Sequence, residues 1–254
     1  CGGATVGRTI PIKGMHLNGV HQAMEFLKQS NQSMHGSISK EEVLTATNKN
    51  VLVIGGGDTG SDCIGTSNRQ QAKTVTNFEI LAKPPSTRPL HQPWPYWPMK
   101  LRTSTSHQEG VERYFGISTK EFVGDINGNL KGVVTVNVEW ICKDGEKPIL
   151  REIPNTEKEW PCELALLALG FTGAEATLPE QFGLEMDFRT NVKAATKDYK
   201  TNVAGIFTAG DMRRGQSLIV WAISEGREVA HYVDSYLMGS SNLPLKGDGD
   251  LPRA

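Results

Sequence analysis

The sequence has no apolar run approaching the roughly 18 residues that a membrane-spanning helix needs, so no span is expected. It has no excess of either charge: 27 Lys and Arg stand against 28 Asp and Glu, a formal charge of −1. No Lys/Arg-dense segment is present, so there is no basic footprint for nucleic acid. Cysteine is scarce. Cys1, Cys63, Cys142 and Cys162 are never two or three residues apart, which excludes a C-x-x-C redox pair and the usual zinc or iron–sulfur ligand spacing. They read as inert thiols in a reducing compartment. His16, His21, His35, His91, His107 and His231 show no H-x-x-x-H ligand spacing, so no metal site is expected. The N-terminus lacks the charged and apolar regions of a signal peptide. It also lacks an initiator Met, and the chain is expected to be a piece of something longer. No repeat of fixed period is visible.

Glycine is what the sequence does have. There are 27 in 254 residues, against a usual share of about 7%. They stand at the ends of apolar runs, which points to tight strand–loop–helix corners. Val20, Ala23, Met24 and Leu27 recur at spacings of three and four, so the pattern predicts a helix over Gly19–Gln29. Val51–Ile54 is a short apolar run suited to a strand covered on both faces. A glycine turn and a helical stretch through Arg69 follow, then a second strand over Val75–Leu81. Residues 83–110 are irregular and rich in proline, including Pro93-Trp94-Pro95-Tyr96-Trp97-Pro98, a loop that suits either a partner surface or packing on its own domain. Phe115–Val123 and Gly132–Ile141 read as antiparallel strands, the second with Thr135, Asn137 and Glu139 on a wet face. Leu164–Leu169 reads as a buried strand ended by Gly170. Val203–Asp211 reads as a strand running into Gly-Asp, before a last helix with Leu218, Ala222, Ala230 and Val233 on its apolar side. Residues from Gly239 onward read as a frayed tail.

Gly55, Gly57 and Gly60 satisfy G-x-G-x-x-G between a strand and a helix, the context in which that pattern signals dinucleotide binding. Gly55 permits the tight turn, Gly57 lets the backbone approach a pyrophosphate, and Gly60 allows close helix–strand packing. The helix start supplies free N–H groups and about half a positive charge for the phosphates. Gly56, Asp58 and Thr59 complete the turn. Glu79 stands 19 residues past Gly60, where an acidic residue binds the ribose 2′-hydroxyl of NAD. Lys83 and Arg88 follow and suit the 2′-phosphate of NADP, so both cofactors stay open.

Gly55–Ser67 resembles the nicotinamide-binding turn of the glutamate synthase small (beta) subunit and of the C-terminal region of NADH-dependent glutamate synthases. Asn77–Leu81, the Pro93–Pro98 segment, Ala165–Gly173 and Ala209–Ala222 continue the resemblance over nearly the whole chain. It implies an α/β, Rossmann-like flavoprotein fold with two dinucleotide-binding domains. Residues 1–14 would then be a crossover, 15–170 a complete NAD(P)-binding domain, and 171–254 the C-terminal half of an FAD domain and a tail. The family's first FAD-binding turn and its upstream cysteine-rich iron–sulfur region have no match here. The resemblance implies hydride transfer from NAD(P)H to FAD, with iron–sulfur clusters and FMN in the parent complex carrying electrons to a large subunit or region. There glutamine and 2-oxoglutarate yield glutamate. Gly210 and Asp211 would meet the flavin, Gln216, Ser217 and Leu218 would place a helix start at its ring, and Gly170 would border the nicotinamide. No side-chain acid, base or nucleophile is assigned, because the cofactors carry the chemistry. The expected location is the cytoplasm, or a plastid for a plant-type enzyme. Two other readings stay open: a sibling NAD(P)H-dependent flavoprotein reductase module, and a non-catalytic fragment that binds a dinucleotide or a partner.

Overall fold

A computed structural model describes residues 2–39, 41–93, 99–141, 147–247 and 250. The Trp94–Pro98 part of the Trp/Pro loop, Cys1 and Cys142 lie outside the described residues. The chain divides into two compact units, Thr9–Gly170 and Cys1–Arg8 with Phe171–Ala254. In chain order, β1 (Val6–Gly7), β2 (Val20–Gln22), α1 (Ala23–Met34), β3 (Asn50–Ile54), α2 (Asp58–Arg69) and β4 (Thr74–Glu79) come first. Next stand α3 (Thr105–Gln108), β5 (Glu112–Phe115), β6 (Ile117–Gly124) and β7 (Leu130–Ile141). Then follow β8 (Ile149–Glu152), β9 (Lys158–Pro161) and β10 (Leu164–Leu167). The rest holds β11 (Phe171–Gly173), α4 (Thr177–Phe182), α5 (Asp211–Arg214) and α6 (Ile219–Met238).

The Thr9–Gly170 unit is built on a parallel five-stranded sheet in the order β2-β10-β3-β4-β5. Val51, Leu52, Val53 and Ile54 of central β3 are all buried. Val51 and Val53 pack with Ala23 and Phe26 of α1 and Cys63 and Ile64 of α2. Leu52 and Ile54 pack on the opposite side with Phe78, Phe122 and Val133. Both faces are therefore covered, as the apolar run predicts, and each buried side chain of this size contributes about 1.5–3 kcal/mol. The second cover is an antiparallel sheet of β6, β7, β8 and β9. Phe78, Tyr114 and Trp160 meet edge to face between the two sheets, with Trp160 4.9 Å from Phe78 and 4.8 Å from Tyr114.

Five expectations are corrected. The predicted helix from Gly19 begins as β2, because Val20, His21 and Gln22 pair with Ala165, Leu166 and Leu167 of β10. Helix α1 then runs on to Met34, past the predicted end at Gln29. Thr135 is buried rather than wet, since β9 pairs over it and the Trp160 indole Nε1 donates to its hydroxyl at 2.8 Å.

The other two corrections fall in the second unit. Val203–Asp211 is no strand. The chain turns at Val203–Ile206, and a single bridge pairs Lys200 with Phe207. Helix α6 buries Glu225 and Glu228, while of its predicted apolar side Leu218 and Ala230 are exposed and Ala222 and Val233 only half-buried. A small core there gathers Ala174, Val192 and Met212, and β1 pairs antiparallel with β11.

Candidate functional site

The glycine turn joins β3 to α2. Gly55 has φ +114°, and a Cβ there would overlap the Ala168 carbonyl, so only glycine fits. A Cβ on Gly60 would stand 2.5 Å from the Gly55 carbonyl oxygen, so the helix packs on the turn itself. A neighbouring strand fixes the turn from below. The buried Asn77 of β4 donates through Nδ2 to the Val53 carbonyl at 3.0 Å and to the Gly55 carbonyl at 2.9 Å. Gly57 differs from its neighbours: a Cβ there would meet nothing within 4 Å. It precedes the first residue of a 12-residue helix.

Gly56, Gly57, Asp58, Glu79 and Lys83 line one cleft of about 900 Å³, walled also by residues 81–85 and 99–104. Gly55, Thr59 and Gly60 support the turn and do not line it. Arg88 does not line it either; its guanidinium donates to the Gln92 carbonyl at 2.9 Å within its own loop. Glu79 ends β4, and its carboxylate lies where a side chain on Gly56 would have to go. Arg113 of β5 donates to Glu79 Oε1 at 3.3 Å and to the Arg102 carbonyl at 2.8 Å. The two side chains of this ion pair are only 15% and 18% exposed.

A polar cluster completes the cleft. Ser104 caps α3, and its backbone N–H donates to His107 Nδ1 at 3.2 Å. The Ser104 hydroxyl lies 2.7 Å from the same nitrogen and hydrogen-bonds the Ser61 hydroxyl of α2. Because Nδ1 accepts, the neutral ring carries its proton on Nε2. Burial holds the His107 pKa below its usual range, and the Arg113 charge lowers it further. Burial also pushes the thiols of Cys63 and Cys162 up to about 12, which fits the inert reading of both. Among the described residues, no group of three or more His, Cys, Asp or Glu could hold a metal ion. Among them also, no helix is long and apolar enough to cross a membrane.

Gly170, with φ +78°, closes the Thr9–Gly170 unit and does not line the cleft. In the second unit Gly210 has φ +65° and is the N-cap of α5, with Asp211 the helix's first residue. Its N–H donates to the buried Glu225 carboxylate at 2.8 Å. The same carboxylate binds Arg213 and takes Arg214 Nε at 2.9 Å. Burial raises the Glu225 pKa, but hydrogen bonds from Arg213, Arg214 and Gly210 outweigh it and hold the group below its usual range. Ser217 donates to Asp211 at 3.1 Å, which joins two of the sequence-predicted residues. Leu218 is the N-cap of α6, so that helix starts at Ile219, just past the Gln216–Leu218 segment expected to begin it. Gln216 borders a pocket of about 480 Å³ whose charged lining residues are Arg8, Arg189 and Arg214.

The family model described as pyridine nucleotide-disulphide oxidoreductase matches residues 2–226. The chain belongs to the pyridine nucleotide-disulphide oxidoreductase family. This is a family of NAD(P)H-dependent oxidoreductases with an α/β flavoprotein fold, and the parallel sheet with its glycine turn is its Rossmann-like part. Among curated relatives, a glutamate synthase [NADH] of Schizosaccharomyces pombe is 43% identical, covering 98% of this chain and 12% of that protein. A glutamate synthase [NADPH] small chain of Mycobacterium tuberculosis is 46% identical, covering 96% of this chain and 49% of that protein. The chain thus spans half or less of the length of these relatives. Among solved structures, Mycobacterium tuberculosis FprA in complex with NADPH superposes with a TM-score of 0.66 at 14% identity, over 95% of this chain and 65% of that one. An FAD-dependent member of the family from Desulfovibrio vulgaris gives 0.58 at 20% identity, over 96% and 54%. At such identities the likeness is one of fold.

Sequence reasoning missed Arg113, Ser104, His107, Asn77 and Glu225 as parts of these sites. A serine three residues before a histidine carries no familiar helix-start signature, since the usual partner at that position is Glu or Gln.

Proposed function

We propose that the chain is the nicotinamide-entry portion of a glutamate synthase. Residues 15–170 hold NAD(P)H, residues 171–254 contribute to an FAD site, and residues 1–14 lead from one to the other. The observation that carries this is the glycine turn: open space at Gly57, beside a cleft that brings Glu79 and Lys83 together. The pyrophosphate would lie against Gly57 at the start of α2, whose free N–H groups suit negative charge. Gly210 and Asp211, with the Gln216–Leu218 segment, would serve the flavin. The arginine-lined pocket beside Gln216 suits an anionic group.

When bound, the cofactors supply the redox chemistry, with hydride passing from NAD(P)H to FAD and electrons onward through iron–sulfur clusters and FMN of a large subunit or region, where glutamine and 2-oxoglutarate give glutamate. The chain's own residues bind and orient; none is assigned as acid, base or nucleophile. Identities of 43% and 46% to proteins named glutamate synthase support this reading over a sibling reductase module.

The test is in two parts. Calorimetric titration of the chain with NADH and NADPH should show saturable binding of at least one. Combined with its natural flanking segments and large subunit, the chain should support glutamine-dependent glutamate formation. Binding without that activity would favour the sibling reductase, and no binding would refute the cleft assignment.

A further inference from the structure

An acidic residue at the end of the strand after the glycine turn ordinarily favours a free ribose 2′-hydroxyl, because a carboxylate repels a 2′-phosphate. Glu79 holds that place, but it does not stand alone. Arg113 pairs with Asn77 in the parallel β4–β5 register, so Arg113 and Glu79 are diagonal neighbours on one face of the sheet. The Arg113 guanidinium reaches Glu79 at 3.3 Å, and the Arg102 carbonyl and the Phe115 ring hold it in place. Lys83, Lys100 and Arg102 line the same cleft, whose acidic lining residues among the described residues are Asp58 and Glu79. The cations outnumber the anions, and the strand-end carboxylate already has a fixed counter-charge.

Resting on the reading of the cleft as a dinucleotide site, we infer that Arg113 is a specificity-determining residue. By offsetting Glu79 it lets the cleft accept a dinucleotide carrying a 2′-phosphate on its adenosine ribose. Glu79 keeps its capacity to accept a hydrogen bond from a 2′-hydroxyl, so the pair reads both forms. The charge of Arg113 at this place, and not its bulk, sets the preference.

The experiment measures dissociation constants of NADPH and NADH for the intact chain by calorimetry at low and high salt. The wild-type chain should bind NADPH at least as tightly as NADH, with that margin shrinking in salt. Arg113→Met should weaken NADPH at least tenfold more than NADH. Arg113→Lys should keep most of the wild-type ratio, and Glu79→Gln should shift it toward NADPH. The double variant, neutral at both positions, should return the ratio close to wild type. Should Arg113→Met fail to fold by circular dichroism, Arg113→Lys and Glu79→Gln decide the matter through the ratio alone. Equal losses of both nucleotides in Arg113→Met, an unmoved ratio in Glu79→Gln, or a wild-type preference for NADH above tenfold would each overturn the inference and leave the cleft assignment standing. Failure of the wild-type chain to bind either nucleotide would overturn both.

Discussion

The buried carboxylate of Glu225 accepts the backbone N–H of Gly210, 15 residues earlier, at 2.8 Å. Gly210 sits at φ +65°, and Arg213 and Arg214 of the short helix that follows close on the same carboxylate. One side chain of α6 thus fastens the Gly-Asp corner and both arginines beside it.

Removing Glu225 should therefore cost far more than a surface ion pair. Glu225→Ala leaves two arginines, 10% and 16% exposed, without their shared partner. Breaking a buried pair from one side costs roughly 3–5 kcal/mol. Chemical denaturation should show a loss of that order, and Glu225→Gln, which keeps an acceptor for Gly210, a smaller one. A loss within about 0.5 kcal/mol, typical of surface changes, would refute the role.

The glycine turn should separate folding from binding. Gly57→Val adds bulk where a Cβ meets nothing within 4 Å, so the melting temperature should hold while nicotinamide binding is lost. Gly55→Val meets the Ala168 carbonyl and a positive φ, so it should lower the melting temperature itself. Calorimetry and thermal melts on the same two proteins check both halves, and retained binding in Gly57→Val would exclude the turn as the cofactor site.

His107 gives a pH dependence of known sign. Its folded pKa lies below the unfolded value, through burial and then the Arg113 charge. The unfolded state therefore takes up the proton first as pH falls. The stability that His107 contributes is complete above about pH 6.5, the ordinary histidine value, and is lost as pH drops through the folded pKa. Urea titrations between pH 8 and 5 should show this decline, and it should flatten in His107→Asn. An identical slope in both proteins would show that the ring does not titrate as described.

Cys63 and Cys162 should resist alkylation in the native chain. Burial holds both thiols near 12, so at pH 8 their thiolate fraction is roughly a thousandfold below that of an ordinary cysteine. Iodoacetamide labelling followed by peptide mapping should find them unmodified until denaturant is added. Rapid native labelling of either would contradict the burial.

The parallel core was readable because strands covered on both faces appear as unbroken apolar runs, as Val51–Ile54 and Leu164–Leu167 do. The turn was readable because its glycines answer to local geometry. What escaped were partners distant in sequence. Arg113 meets Glu79 across 34 residues, and Trp160 covers Thr135 across 25, and no spacing rule links either pair. Strand β2 escaped for a different reason, since three residues are too few to display a period of two. On α6 the apolar stripe misled, because that helix buries Glu225 and Glu228 instead.

Asn77 carries a consequence for anyone who would transplant the turn. Its amide grips the Val53 and Gly55 carbonyls from an adjacent strand, while the Gly55 N–H donates to the Phe78 carbonyl of that same strand at 2.9 Å. Part of the turn's scaffolding is thus written more than 20 residues downstream of Gly55. A graft of Gly55–Gly60 alone into a foreign βαβ unit would carry the signature without its shape, and a functional cassette must extend at least to Phe78.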